Sequence, residues 1–395
     1  MLTEDEVNAV LRAKEDLWWL ESPDSSAMRL RVDTSQVSSN SPIEDYLAWM
    51  PLGVDSNGTL DDKKHSASRY MFSVFDGHAG FMCAEQLSMR LGTMLNDTDL
   101  VRTIKQLERD SGLEWDQIPL ALTATFINMD NELVHGALAK YRKVQDLARM
   151  DELLGPAVSG SCGLVAVVDT KANEVAVGNA GDSRALLGVR LKDGRWKAVR
   201  LSEDQTVNNQ NEVARMTREH PGESTVIQRG RVLGGLIPLR AFGDCRYKWP
   251  LEAQQDLFPV LFSRGHRYAT TPPNYITPPY ITAKPVIVKH QLNENDKFLV
   301  MASDGLYDQL SDDEVVGSVA QWYEANNGGK QGETTSSLFT EDSNAATHLI
   351  RTALSTDRLG RRSDSIIRHL LAIPAPHSRR FRDDISVTIV TFNRD

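Results

Sequence analysis

Cysteine is scarce in this chain: Cys83, Cys162 and Cys245 are the only three among 395 residues. An odd number at wide, irregular spacing excludes a disulfide framework, and no Cys/His cluster has zinc spacing. Both absences favour a reducing compartment, with the three thiols expected as small buried hydrophobes. No apolar run approaches the roughly 20 residues that a membrane helix needs. Basic excess is also missing. The chain has 44 Lys and Arg against 54 Asp and Glu, a net charge of −10, which argues against a nucleic-acid binder. Clustered carboxylates would instead suit a divalent cation. The opening MLTEDEVNAVLRAKED is acidic and helix-like, unlike a secretory signal or an Arg-rich transit peptide, so an import address is not expected within it. Asn57-Gly58-Thr59 and Asn96-Asp97-Thr98 match the glycosylation tripeptide but carry no meaning inside a cell.

What is present is ordinary globular composition, 41% apolar and 25% charged, at a length that allows two domains or one large sheet-based domain. Short β-rich runs occur at 69–75, 162–169, 174–180, 184–190, 296–304 and 385–392, most of them ending at Gly, Asn or Asp. The run 162–169 reads as a hairpin with 174–180 across TKAN, and 184–190 as another with the segment after KDGRW. Between them lie helical stretches: one from Ala84, a long one over 116–149, then NNQNEVARMTREHPG, SDDEVVGSVAQWYEANNGG and DSNAATHLIRTALS. Adjacent strand pairs with separate helices predict antiparallel sheets with helices packed outside. TTPPNYITPPY (270–280) is expected as extended surface chain, because proline cannot donate to a ladder. The stretch 326–343 reads as a polar insert.

Apolar runs that close on a carboxylate recur. In FSVFDGHAG the apolar run ends at Asp76, VGNAGDSRALL carries Asp182, and FLVMASDGLYD carries Asp304 and Asp308. FRDDISVTIV puts Asp383 and Asp384 immediately before a strand, and SNSPIEDYLAW supplies Glu44 and Asp45. Asp before Gly is, taken singly, turn chemistry. As a set, these acids stand at strand ends that can converge at one edge of a sheet sandwich. There they would repel one another and resist desolvation unless a cation sat among them. Oxygen ligands of this kind suit Mg²⁺ or Mn²⁺, and the backbone carbonyl of Gly77 could join them.

FSVFDGHAG, SGSCGLVAVVD, VGNAGDSRALLG, LRAFGDCRYKW, FLVMASDGLYD and FRDDISVTIVTF occur in the order found in the metal-dependent type 2C serine/threonine protein phosphatases. The resemblance runs from about residue 40 to 393. Within the family, SNSPIEDY, LGGLIPLRAFGDCRYKW and PPNYITPPYITAKP are most similar to the pyruvate dehydrogenase phosphatases. The resemblance implies an α+β fold, a four-layer α-β-β-α sandwich of two antiparallel sheets flanked by helices, with the metal site at one edge of the sheets. It implies a single phosphatase domain over 40–395, with residues 1–39 as a lead packing on it.

By the same resemblance, two Mg²⁺ or Mn²⁺ ions, with a possible third, share a hydroxide that attacks phosphorus directly, without a phospho-enzyme. Asp76 bridges the ions, Gly77 contributes its carbonyl, Asp304 and Asp383 bind one ion, and Glu44 and Asp45 hold waters around the other. Asp182 and Asp308 match the looser third position, and His78 matches the acid that protonates the leaving oxygen. Many family members place an Arg shortly before the Glu-Asp pair to grip the substrate phosphate; here Asn40 takes that place, so phosphate binding rests more on the metals. The implied substrate is phosphoserine on the pyruvate dehydrogenase component, and removing that phosphate reactivates the complex. The implied partners are the lipoyl domain of the acetyltransferase core, assisted by Ca²⁺, and a regulatory subunit, in the mitochondrial matrix or otherwise the cytoplasm. Two other readings stay open: a type 2C phosphatase for another phosphoprotein, and a catalytically inactive phosphoprotein-binding adaptor. A calcium-binding structural protein would need EF-hand spacing, which is absent.

Smaller features also carry expectations. Arg379, Arg380 and Arg382 read as a solvated loop or as a basic rim that steers a phosphopeptide. Trp18, Trp19 and Trp49 read as packing anchors. RVLGGLIPLRAFGDCRYKW reads either as a flap over the site or, in its first half, as a core strand.

Overall fold

The computed structural model describes residues 1–21, 28–53, 67–97, 117–327, 342–357 and 359–394. Its strands, in chain order, are β1 Asp16–Leu20, β2 Arg29–Val37, β3 Tyr46–Leu52, β4 Arg69–His78, β5 Gly160–Asp169, β6 Glu174–Ala180 and β7 Arg184–Arg190. They continue with β8 Trp196–Arg200, β9 Ile227–Gln228, β10 Arg231–Val232, β11 Phe242–Gly243, β12 Val286–Gln291, β13 Asp296–Ala302 and β14 Ile385–Asn393. One sheet has the order β1-β2-β14-β13-β7-β8 and the other β12-β6-β5-β4-β3, with β11 added beside β5. Every strand pair in both sheets is antiparallel.

The side-chain alternation of the central strands builds the layers. In β4, Tyr70, Phe72 and Val74 point into the core between the sheets, while Met71 and Phe75 point to the opposite face. There they meet the helices Met82–Asp97 and Gln117–Asn131. In β13 and β14 the division repeats. Leu299, Met301, Val390 and Phe392 face the inter-sheet core, and Phe298, Val300, Ile385 and Val387 face the helices Asp312–Asn327 and Ala345–Ser355. Burial on both faces is why these strands read as continuous apolar runs. Each large side chain buried completely in this way, as Phe72 and Phe298 are, stabilises the fold by about 1.5–3 kcal/mol. The result is the expected four-layer α-β-β-α sandwich.

Asparagine side chains start two of the helices. Asn209 starts the helix Gln210–Glu219 by accepting the Asn211 N–H. Asn344 accepts the N–H groups of Ala346 and Thr347 at 2.9 and 3.0 Å to start Ala345–Ser355. Both expected hairpins are present as β5–β6 and β7–β8. The 270–280 stretch joins no strand.

Some elements differ from the sequence reading. The stretch 116–149 is not one helix: Gln117–Asn131 runs through a π turn, Glu132–Gly136, into Ala137–Val144. It ends at Gln145 in the left-handed region (φ 49°), and Asp146 caps the next turn. Residues 1–39 supply the helix Glu4–Arg12 expected from the acidic opening, and also two strands not read in the sequence, β1 and β2, the latter in full register with β14. Trp18 and Trp49 pack against each other at 5.4 Å, but Trp19 is no anchor: it is 43% exposed under the Arg29 guanidinium, 4.6 Å away. All three cysteines are free and buried. Among the described residues no helix is long and apolar enough to cross a membrane. Asn57-Gly58-Thr59, Thr98 and residues 328–341 of the polar insert lie outside the described residues.

Candidate metal centre

The acidic strand ends meet at one end of the sandwich. β4 delivers Asp76, Gly77 and His78, the β6–β7 turn delivers Asp182, and the helix Asp304–Tyr307 after β13 delivers Asp304 at its first turn. Asp76, Asp182 and Asp304 each offer an oxygen within 4.8 Å of the others. Asp76 Oδ2 also accepts the Asp304 N–H at 3.3 Å. The close approach depends on Gly77, where a Cβ would run into the Glu44 carbonyl. The three acids, with Gly77, His78, Asp244 and Asp383, line a pocket of about 300 Å³. The β9–β10 hairpin and the turn after it form one wall of the pocket through Arg231, Gly235, Leu236, Ile237 and Pro238. That arrangement favours the flap reading of RVLGGLIPL.

Electrostatics mark the cluster as a cation site. Burial first, then the charges of Asp45, Asp182 and Asp383, push the Asp76 carboxyl well above its ordinary range. Asp304 is displaced the same way by burial and by Asp76. Asp45, wholly buried beneath them, is also raised well above the usual range, by burial and by Asp384. Its Oδ2 has no hydrogen-bond partner among the described residues. Burial also raises Glu44, Asp182, Asp383 and Asp308. Such carboxylates hold protons unless a cation replaces them, and an all-oxygen donor set of this kind fits a hard divalent ion.

The expected residues occupy different stations. Asp182, expected as a looser ligand, stands in the tight group of three, and the Cys162 thiol donates to its Oδ1 at 3.0 Å. Asp383 lines the same pocket outside that group, ion-paired with Arg379. Glu44 accepts the Gly80 N–H at 2.8 Å. Asp308 lines a separate, shallower depression with Arg184 and Asp312. Asn40 directs its amide to Asp384 Oδ2 at 2.9 Å and Glu44 Oε2 at 3.5 Å. The basic run divides: Arg379 reaches the pocket, Arg380 is exposed, and Arg382 is buried, which a solvated loop does not explain.

Two carboxylates were missed as site residues. Asp384 accepts the N–H groups of Ser39, Asn40 and Glu44 at 2.5, 3.0 and 2.9 Å, and so fixes the loop that leads into β3. Asp244 lies 2.6 Å from His78 Nε2. Burial opposes charge on His78, but Asp244, followed by Asp182 and Glu44, outweighs it and holds the imidazole pKa above its usual value. The signals were the second Asp of FRDD and the Asp of AFGDC, both inside motifs already singled out.

The family model for protein phosphatase 2C matches residues 44–358. Pyruvate dehydrogenase (acetyl-transferring) phosphatase 1, mitochondrial, of Saccharomyces cerevisiae is 34% identical, covering 92% of this chain and 68% of that protein. A protein phosphatase 2C homologue of Schizosaccharomyces pombe is 35% identical over 92% of this chain and 80% of its own length. Pyruvate dehydrogenase (acetyl-transferring) phosphatase 2, mitochondrial, of Homo sapiens is 33% identical over 100% of this chain and 84% of that one. Among solved structures, the serine-threonine phosphatase 2C of Toxoplasma gondii superposes with a TM-score of 0.58, covering 96% of this chain and 99% of that one at 17% identity, a likeness of fold.

Proposed function

The chain belongs to the protein phosphatase 2C family, and on that premise we propose that it removes phosphate from phosphoserine on pyruvate dehydrogenase, reactivating that complex. It is a metal-dependent serine/threonine protein phosphatase, a hydrolase. The single observation that carries the reading is the meeting of Asp76, Asp182 and Asp304, from three distant stretches, within 4.8 Å of one another. Relatives named as mitochondrial pyruvate dehydrogenase phosphatases support the substrate and a place in the mitochondrial matrix.

The metal we propose is Mg²⁺ or Mn²⁺, as two ions with a possible third. Asp76, Asp182, Asp304 and Asp383 would hold them with the Gly77 carbonyl; Glu44 and Asp45 would orient their waters, and Asp308 would serve the looser position. When bound, the ions supply a nucleophilic water and neutralise charge on the phosphoryl oxygens. The chain's own groups do the rest. Asp384 fixes the loop that presents Glu44. The β9–β10 hairpin and the turn after it supply one wall of the pocket. Arg231, Arg246 and Arg379 line the pocket and are the cations nearest an incoming phosphate, Arg379 already paired with Asp383 and Arg231 with the Gly235 carbonyl. His78 gives its proton to the departing seryl oxygen. The cysteines take no part, since burial pushes the Cys83, Cys162 and Cys245 thiols far up.

The proposal extends to docking on the lipoyl domain with Ca²⁺ and to a regulatory subunit; binding of the isolated lipoyl domain with and without Ca²⁺ checks the first. The substrate is tested by comparing rates on phosphorylated pyruvate dehydrogenase and on a generic phosphoserine peptide at equal Mg²⁺. A clear preference for the former is expected. Equal rates would point to another phosphoprotein, and an Asp76→Asn variant as fast as wild type would overturn the metal chemistry itself.

A further inference from the structure

We propose that Asp244 is the positioning residue for His78: it holds the imidazole by Nε2 and thereby assigns Nδ1 as the nitrogen that protonates the departing seryl oxygen. The inference rests on the phosphatase reading above and adds to it which ring nitrogen acts and what aims it.

Asp244 is only 2% exposed, and its Oδ2 lies 2.6 Å from His78 Nε2. Its place is fixed by backbone rather than by the histidine. Asp244 takes a left-handed conformation (φ 52°), and its N–H donates to the Ser159 carbonyl at 2.9 Å. The preceding N–H, of Gly243, donates to Asp130 Oδ1 at 2.9 Å. Lys248 then clamps the same segment, donating to both oxygens of Asp130 at 2.7 and 2.8 Å and to the Ala241 carbonyl at 2.8 Å. The carboxylate is therefore in place before any substrate arrives.

The contact is made against bare backbone of β5. A Cβ at Gly160 would run into both His78 Nε2 and the Asp244 carboxylate, so the pair closes only over glycine. His78 and Asp244 both line the pocket with Asp76, Asp304 and Arg379; with Nε2 taken by Asp244, Nδ1 is the ring nitrogen left to serve a substrate there. In the step, the Nδ1 proton passes to the seryl oxygen as the P–O bond breaks. The electron pair of that bond stays on the oxygen and becomes the new O–H bond. The water oxygen takes the new bond to phosphorus and gives up one of its protons to solvent. His78 is left neutral with its remaining proton on Nε2, facing Asp244, and regains the other from solvent. A free imidazole would have to lose rotational freedom to reach this geometry, and the carboxylate removes that cost.

The test is the split between two leaving groups. p-Nitrophenolate departs without needing a proton, whereas a seryl alkoxide needs one. With saturating Mg²⁺, Asp244→Ala is expected to lower kcat on a phosphoserine peptide by about 100-fold, the lower end of general-acid contributions, and to change kcat on p-nitrophenyl phosphate little. In a His78→Gln background, Asp244→Ala should cost nothing further on the peptide. The isosteric Asp244→Asn carries the same comparison if circular dichroism shows the Ala variant unfolded. Equal losses on both substrates, no loss on either, or a full additional loss in the His78→Gln background would each overturn the proposal. A wild type inactive on both substrates would instead overturn the phosphatase reading on which it stands.

Discussion

Asp76 is half-buried with Asp45, Asp182 and Asp383 around it, and without a cation desolvation and their charges hold its pKa well above the ordinary value of 3.8. The unfolded chain feels no such pressure. Folding without metal therefore takes up a proton, and stability falls as pH rises from about 4, the unfolded value, through the raised folded one. Below the unfolded value the carboxyl is protonated in both states and costs nothing. In chelator, Asp76→Asn is accordingly expected to melt above wild type at pH 7, with the gap closing below about pH 4; thermal melts across pH check it. The carboxylates of the site were legible because each ends or begins an apolar run. Asp384 and Asp244 were not assigned roles, because their work is to hold neighbours. Asp384 accepts three backbone N–H groups and Asp244 meets a ring nitrogen, and neither partner is visible in linear spacing.

The elements carry the site through a few long-range ties. The Gln117–Asn131 helix is joined to the 241–248 segment by the Asp130–Lys248 pair, whose side chains are 12% and 3% exposed. Removing one partner strands the other charge, so Lys248→Ala is expected to cost about 3–5 kcal/mol, read as a lowered urea midpoint. Asn344→Ala should cost about 1 kcal/mol or more at the start of Ala345–Ser355, since its side chain also donates to the Asp16 and Thr34 carbonyls. Strands buried on both faces, such as β4 and β5, were evident as apolar runs. β2, RLRVDTSQV, was not: it carries Asp33 and Ser35 into the interior, where Arg31 and the Ala345 N–H meet Asp33. The 116–149 stretch read as one helix because its composition is helical throughout. The break depends on one left-handed residue, Gln145, that no glycine or proline announces.

At the scale of the whole molecule, the sandwich gathers acids that are distant in sequence and so makes its own stability depend on a ligand. An ion that binds only the folded state stabilises it by about 2.7 kcal/mol at a free concentration one hundred times its Kd. Saturating Mn²⁺ or Mg²⁺ should therefore raise the melting temperature, and chelator should reverse the rise. The overall architecture was legible because layer order follows from which faces are apolar. The convergence at one end was legible only through motif order, since no single Asp-Gly turn implies it. The most direct measurement is calorimetric titration of metal-free protein with Mn²⁺, wild type beside Asp76→Asn. Saturable uptake by wild type that is lost or greatly weakened in the variant is the predicted result. No uptake by wild type, or the same isotherm for both, would contradict a cation centre built on Asp76.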